Sequence, residues 1–336
     1  MASDVSIEIL DLRHFAAPML RPVLEAEGDL WMERLHWDYR ASSKLLMQYI
    51  DSHMLPGYAA LESGQVTGYA FCVYEESKAV IGDVFAMPGL SPEVPAPTDG
   101  SAGPAHEIEE TLLQHLLETL LNSPQVDRIE SQLLLHPAGV HARLFQNAGF
   151  RLFHRLFMVQ QLENRMVYNA HSSLPPDLEL RAWRDEDLNP AAHLISEAYR
   201  GHPDSLINDQ YHSVSGSLRF LHNIVRYAGC GAFSSMASHV VVTRASRELV
   251  ALVLGSRVSP QSGHITQLCV HPGYRRMGIA RTLLALAASN FMRQGVREIS
   301  LTVTEANIDA IELYKSEGYE RHHMFDAAVW QRYENA

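Results

Sequence analysis

Two segments of the chain, 184 positions apart, read alike: Ile81-Gly-Asp-Val-Phe-Ala-Met-Pro-Gly89 and Ile265-Thr-Gln-Leu-Cys-Val-His-Pro-Gly273. Each is a short apolar run closed by Pro-Gly, a turn signature. Upstream of each, over Tyr58–Tyr74 and Val240–Leu254, apolar runs flank a polar turn, the pattern of a hairpin. Downstream, Leu144-Phe-Gln-Asn-Ala-Gly-Phe150 aligns with Leu313-Tyr-Lys-Ser-Glu-Gly-Tyr319 at an offset of 169, so the first half carries fifteen extra residues between these landmarks. One supersecondary unit is thus written twice. The expected fold class is α/β, with two tandem domains, each a central mixed β-sheet flanked by helices. A length of 336 residues suits two domains with a core each.

The extra residues fall in 90–106, where four prolines and two glycines argue against helix or strand. A second break, Asn169-Ala-His-Ser-Ser-Leu-Pro-Pro176, reads as a linker, because Pro-Pro forces an extended path. The division expected is a first domain over 1–164, a linker over 165–176 and a second domain over 177–336.

Charge narrows the partners. With 27 Lys+Arg against 39 Asp+Glu the formal charge is −12, which argues against a nucleic-acid partner. The one basic spot, Arg275, Arg276 and Arg281, suits a small anion instead. Cys72, Cys230 and Cys269 show no CxxC spacing and read as buried small hydrophobes in a reducing compartment. No signal peptide is visible at Met1-Ala2-Ser3-Asp4, and the longest uncharged stretch, Tyr227–Thr243, falls short of spanning length. The expectation is a cytoplasmic protein without a membrane partner. The 18 histidines are scattered, with no HExxH-like pair, and no metal is expected.

The second half carries the chemistry. A strand over Ile265–Val270 runs through His-Pro-Gly-Tyr-Arg-Arg-Met-Gly into a helix from about Ala280 to Arg293, ended by Gly295. Its apolar stripe, Leu283, Leu284, Ala287, Ala288 and Phe291, fits packing on a sheet. A strand, a glycine turn and a helix N-terminus form an anion cradle, and Gly278 lets a phosphate approach the backbone. A strand over Ile299–Val303 then leads to Asn307, a good N-cap, and a short helix capped by Gly318.

The run Gln267–Ala280 resembles the acetyl-CoA-binding motif of the GNAT N-acetyltransferase superfamily, Arg/Gln-x-x-Gly-x-Gly/Ala, met here by Arg275, Gly278 and Ala280. The series Asn307, Ala310, Leu313-Tyr314, Gly318-Tyr319 is similar to the motif that follows it in that family. The resemblance covers residues 178–330, while residues 5–160 share only the skeleton.

The resemblance implies an acyl-CoA-dependent N-acyltransferase that moves an acetyl group from acetyl-CoA to an amine by direct attack in a ternary complex. Backbone groups of Leu268 and Val270 would pair with the pantetheine arm, and amides from Arg276 through Met277, Gly278 and Ile279 to Ala280 would hold the pyrophosphate. Asn307 would contact the CoA arm. Tyr314 would protonate the departing thiolate, a core tyrosine being the other reading. Backbone N–H groups near Leu268 and Cys269 would hold the oxyanion; Cys269 as an acyl-carrying nucleophile lacks a His/Asp partner in sequence. The general base is not readable, His264 and Glu305 being the strand-end candidates. The segment 200–211 would cover the acceptor side, with Asp204, Asn208, Asp209 and Tyr211 suited to a cationic amine; a helix cap and polar loop explain the same residues.

The first half has no basic residue between Lys78 and Arg128, and Phe145 stands where Tyr314 does. It therefore reads as a degenerate domain of the same kind. A non-catalytic acyl-CoA-binding sensor or scaffold is the alternative function, and the sequence names neither the acceptor nor the oligomeric state.

Overall fold

A computed structural model describes residues 7–87, 103–162, 174–227 and 231–332. The chain forms two compact units. One comprises Met1–Leu35, Tyr39–Phe153 and Phe325–Ala336; the other comprises His36–Asp38 and His154–Met324.

The first unit builds its sheet from β1 (Ile7–Asp11), β2 (Gly57–Glu62), β3 (Gln65–Glu75), β4 (Lys78–Ala86) and β5 (Arg128–Gln132). Its helices are α1 (Ala17–Leu35), α2 (Arg40–Asp51), α3 (Pro104–Asn122) and α4 (Ala142–Asn147). Strand β6 (Arg151–Gln161) follows α4. The leucines of α3, Leu112, Leu113, Leu116, Leu117 and Leu120, recur at helical spacing and pack on the apolar face formed by Ala70, Ile81, Val84 and Ile129. The other face is covered through Leu20, Val23 and Leu24 of α1 and Ile50 of α2, against Tyr69 and Phe71.

The second unit contains β7 (Leu178–Ala182), α5 (Leu188–Ala198), α6 (Pro203–Ile207), α7 (Val214–Arg226), β8 (Ala232–Phe233), β9 (His239–Thr243) and β10 (Leu249–Arg257). It continues with β11 (Ser262–Val270), α8 (Ile279–Arg293), β12 (Glu298–Thr304), α9 (Ile308–Ser316) and the start of β13 (Glu320–Gln331). All five apolar residues of the α8 stripe are buried in one core with Val253, Ile265 and Leu301.

The strand order repeats. It is β1-β2-β3-β4-β5 in the first unit and β7-β9-β10-β11-β12 in the second. Each parallel step, β4 with β5 and β11 with β12, is reached through a helical crossover, α3 or α8. The sixth strand is exchanged. The end of β13 pairs antiparallel with β5 through Ala327↔Gln132 to Gln331↔Arg128, while β6 pairs antiparallel with β12 through Glu298↔Gln161 to Thr304↔Arg155. The compact units are therefore not the consecutive stretches 1–164 and 177–336, because each half of the sequence supplies the last strand of the other unit's sheet.

Two sequence expectations meet the structure at the edges of what is described. The stretch expected to be free of helix, 90–106, instead contributes Pro104–His106 to α3, because proline at the first position of a helix loses no hydrogen bond and presets φ; its residues through 102 lie outside the described residues. Of the linker 165–176 only Leu174–Pro176 are described, and Leu174 packs against the second unit's core.

Candidate active site

Strand β11 loses one neighbour halfway along. Its parallel pairing with β12 runs from Ser262↔Glu298 to Ile265↔Leu301 and stops. On the other side the register with β10 slips between Leu254↔Gln267 and Gly255↔Ile265, so Thr266 is an extra, bulged residue. Beyond the bulge, β11 keeps only β10. The N–H of His271 donates to Val250 O at 2.8 Å. Alternation along an antiparallel ladder then turns the backbone of Cys269 toward β10 and the N–H and C=O groups of Leu268 and Val270 toward the side that β12 has left. Of the two amides expected at an oxyanion, Leu268 faces the opening, while Cys269 is committed to the sheet. Burial pushes the Cys269 thiol far up, as expected of a packing residue.

After β11 the chain makes a tight turn, in which His271 Nδ1 accepts the Gly273 N–H at 3.1 Å. Arg276 and Gly278 both hold left-handed backbone conformations, with φ of 65° and 76°. Such residues before a helix turn successive N–H groups into one concavity, at the positive end of the α8 dipole. A Cβ built on Gly278 meets no atom within 4 Å, so the position opens onto free space. Ile279 is buried in the core and fixes the first turn of α8, Ala280 is half-buried beside it, and Met277 is exposed.

The three arginines have different partners. The Arg275 guanidinium donates to Val270 O at 3.3 Å and Ala198 O at 2.9 Å, bracing the end of β11 against the end of α5. Arg281 pairs with Glu317 at 2.7 Å and donates to Ser316 Oγ at 2.9 Å. Arg276 is exposed and forms no ion pair among the described residues.

The segment before α7 and the start of α9 come together on the same side. Asn307 caps α9 by accepting the Ala310 N–H at 3.3 Å, and its amide nitrogen lies 3.2 Å from His202 Nε2. His202 Nδ1 in turn accepts the Asp204 N–H at 3.2 Å, capping α6. Burial is the main cause that lowers the His202 pKa, with Arg275 adding to it against Asp204, which keeps the ring neutral at physiological pH. The Asp204 carboxylate accepts a hydrogen bond from the Thr304 hydroxyl.

Three phenols share this region. Tyr199 and Tyr211 stack with ring centroids 4.4 Å apart. Tyr314 is buried on α9. Burial first, with the charge of Asp204 among the further causes, raises the pKa of all three, so each stays protonated. Tyr314 is thus both a core residue and a protonated phenol. Of the acceptor-side residues named from sequence, Asp204 and Tyr211 belong to this group; Asn208 accepts the Gln210 N–H at 3.0 Å and its side chain also hydrogen-bonds Tyr211, and Asp209 opens the short turn Asp209–His212. His202 lies within the same segment and is the residue there to which sequence reasoning assigns no role. The signal was present in His202-Pro-Asp204, a cap followed by proline at the first helical position.

Of the two strand-end candidates for the base, His264 does not fit. His264 is fully enclosed, 2.9 Å from Ser300 Oγ and edge-on to Trp37 at 4.9 Å between ring centroids, and burial lowers its pKa to about 3. Glu305 is exposed on the turn before Asn307.

The first unit repeats the splay and closes it. Pairing of β4 with β5 ends at Ile81↔Ser131, and the register with β3 slips between Phe71↔Asp83 and Cys72↔Ile81, placing a bulge at Gly82. The residues at the offset of 184 from Leu268 and Val270 are Val84 and Ala86. Their N–H groups donate to carboxylates of the same unit: Val84 to Asp83 Oδ1 at 2.9 Å, Ala86 to Glu109 Oε1 at 3.2 Å. Phe145 occupies the Tyr314 position, with the following glycines, Gly149 and Gly318, both at positive φ.

The sequence profile of the acetyltransferase (GNAT) family matches residues 205–319. No curated protein matches the chain significantly. Among solved structures, a GCN5-related N-acetyltransferase from Sphaerobacter thermophilus superposes with a TM-score of 0.63 at 17% identity, covering 100% of this chain and 98% of that one. A tandem GNAT protein from the clavulanic acid biosynthesis pathway gives a TM-score of 0.58 at 16% identity, covering 98% of this chain and 100% of that one. Identities this low speak for the fold, and that fold extends over both units. Residues 205–319 thus match the acetyltransferase (GNAT) family profile, and the chain has the tandem GNAT fold along its length.

Proposed function

We propose that the second unit is an acyl-CoA-dependent N-acyltransferase that transfers an acetyl group from acetyl-CoA to an amine of a small molecule or peptide. The observation that carries this reading is the one-sided end of β11 beside the left-handed turn at Arg276–Gly278. An extended amide chain can pair with Leu268 and Val270, and the diphosphate at its end then falls at the N-terminus of α8. Met277, Ile279 and Ala280 contribute backbone to that cradle, Arg276 its charge, and Asn307 a polar contact to the CoA arm. Arg275 acts by holding the strand end in place.

In this scheme the amine nitrogen attacks the thioester carbonyl, and the N–H of Leu268 stabilises the oxyanion. As the C–N bond forms and the C–S bond breaks, the Tyr314 phenol gives its proton to the leaving thiolate, and the proton that the attacking amine nitrogen loses restores the phenol by way of solvent. Asp204 offers a carboxylate to a cationic acceptor, with Tyr199 and Tyr211 forming an aromatic wall. A scaffold that only binds acyl-CoA has no need of a buried phenol at that place.

The test is release of free CoA thiol from acetyl-CoA across primary amines, polyamines, aminoglycosides and peptide N-termini. Acetylation of at least one amine, lost when Tyr314→Phe is introduced while acetyl-CoA still binds, supports the enzyme. Acetyl-CoA binding without turnover on any class of amine returns the chain to the sensor reading.

A further inference from the structure

The first unit contains a polar cluster that the acyl-transfer reading does not use. Glu109 and His106 stand one turn apart at the start of α3, and His136 and His141 come from the loop between β5 and α4. One ligand atom from each of His106, Glu109 and His141 can be chosen so that all lie within 4.8 Å of one another. His136 Nε2 lies 3.3 Å and His141 Nε2 3.6 Å from the same oxygen, Glu109 Oε2. These separations are close to the edge of a tetrahedron with bonds of about 2.1 Å, roughly 3.4 Å.

Two features distinguish the cluster from an ordinary surface ion pair. The His141 side chain is 3% exposed, and neither of its ring nitrogens has a hydrogen-bond partner among the described residues; His136 Nδ1 is buried and unpartnered among them as well. Buried polar atoms are nearly always satisfied, so three unpartnered ring nitrogens beside one carboxylate call for a ligand that the described residues do not supply. The carboxylate is also oriented for one. Glu109 Oε1 is held by the Ala86 N–H at 3.2 Å, which leaves Oε2 to face the histidines. A main-chain donor fixing one oxygen while the other faces a metal is the arrangement that outer-shell contacts give to ligating groups.

We infer that His106, Glu109 and His141, with His136 set against the same Glu109 oxygen, form a binding site for a divalent transition metal of the Zn2+ class. Imidazole nitrogens with one carboxylate select borderline cations over Ca2+ or Mg2+, which take oxygen donors. The site joins the first turn of α3, the loop before α4 and, through Glu109, the end of β4. Its role is structural closure of the first unit's splay. The absence of metal expected from sequence rested on motif spacing, and these residues lie at 106, 109, 136 and 141, outside any short motif.

The experiment uses the full chain, stripped with a chelator and titrated with Zn2+ against a chromophoric competitor, and separately loaded with Co2+. The expected result is one tightly held Zn2+ per chain and the intense visible bands of tetrahedral Co2+. Glu109→Gln keeps an oxygen for the Ala86 N–H, and His106→Asn alters a half-exposed residue, so both variants should fold, as circular dichroism would verify. Each should weaken Zn2+ by more than the roughly 10–100-fold typical of losing an outer-shell contact. His115→Ala, elsewhere on α3, should leave affinity unchanged. Absence of saturable Zn2+ binding, a faint octahedral Co2+ spectrum, or unchanged affinity in both folded variants would overturn the site.

Discussion

The two splays are the same backbone device with opposite treatments of its spare hydrogen-bond donors. Both units bulge the strand at equivalent places, Gly82 and Thr266, and both end the parallel ladder one residue earlier, at Ile81 and Ile265. A strand left with one neighbour has backbone N–H groups that must be satisfied somewhere. The first unit satisfies them internally with Asp83 and Glu109. The second leaves Leu268 and Val270 facing a glycine turn and a helix N-terminus, where a ligand can do so. The first unit therefore differs from the second by more than a motif, because side-chain carboxyl groups take up the donors that a ligand would need.

The largest expected effect separates the cradle from the fold. Gly278→Val should weaken acetyl-CoA binding by at least about 100-fold, since it places a β-branched side chain at positive φ where phosphates must approach. The protein around Gly278 is open, so the melting temperature should move by only a few degrees. An intact affinity in this variant would break the comparison at its strongest point.

Next in size is the phenol. Tyr314→Phe should lower kcat by about 10²–10³-fold with little change in acetyl-CoA affinity, because the proton is needed only as charge grows on sulfur. The reciprocal change Phe145→Tyr should confer no activity on the first unit, whose strand end is already occupied. Steady-state kinetics on an acetylated amine decides both.

Asp204→Asn should raise KM for a cationic amine by about 10-fold, consistent with losing a charged hydrogen bond of about 1.5 kcal/mol, and leave acetyl-CoA binding alone. An equal loss for neutral amines would show that Asp204 acts by holding Thr304 and His202 in place.

The smallest effect concerns the closed splay. Glu27 is buried against Asp83, Tyr69 and Trp31, and burial raises the pKa of both carboxyls, most of all that of Asp83. A carboxyl raised on folding holds more protons folded than unfolded, so its stabilisation is present at low pH and declines as pH rises above the ordinary carboxylate range of about 4. Glu27→Gln removes one of the two competing charges. It should stabilise the protein by about 1 kcal/mol at pH 8 and by less at pH 5, read from denaturant melts at each pH.

Much of this was legible in the residues. The 184 and 169 offsets placed the strands ending at Ala86 and Val270 in equivalent positions, and the α8 stripe and the Gly295 and Gly318 stops were readable from periodicity and turn chemistry. The exchange of last strands was not legible, because nothing in Arg151–Gln161 or Glu320–Gln331 says which sheet such a strand joins. Nor was the bulge at Thr266, which is an ordinary strand residue that becomes extra only against β10. Arg275 belongs by its place in the motif to the basic spot suited to an anion; of its partners, Val270 O is five residues away but Ala198 O comes from backbone 77 residues away in sequence. The His106–Glu109–His141 cluster was hidden for the same reason, its donors brought together by the crossover of α3.

The central claim is that one splay is open to acyl-CoA and the other is closed. Calorimetric titration of acetyl-CoA into the full chain tests it most directly. The account predicts a single site per chain, abolished by Gly278→Val and unaffected by Glu109→Gln. Two equivalents bound per chain, or a single site lost in Glu109→Gln and retained in Gly278→Val, would contradict it.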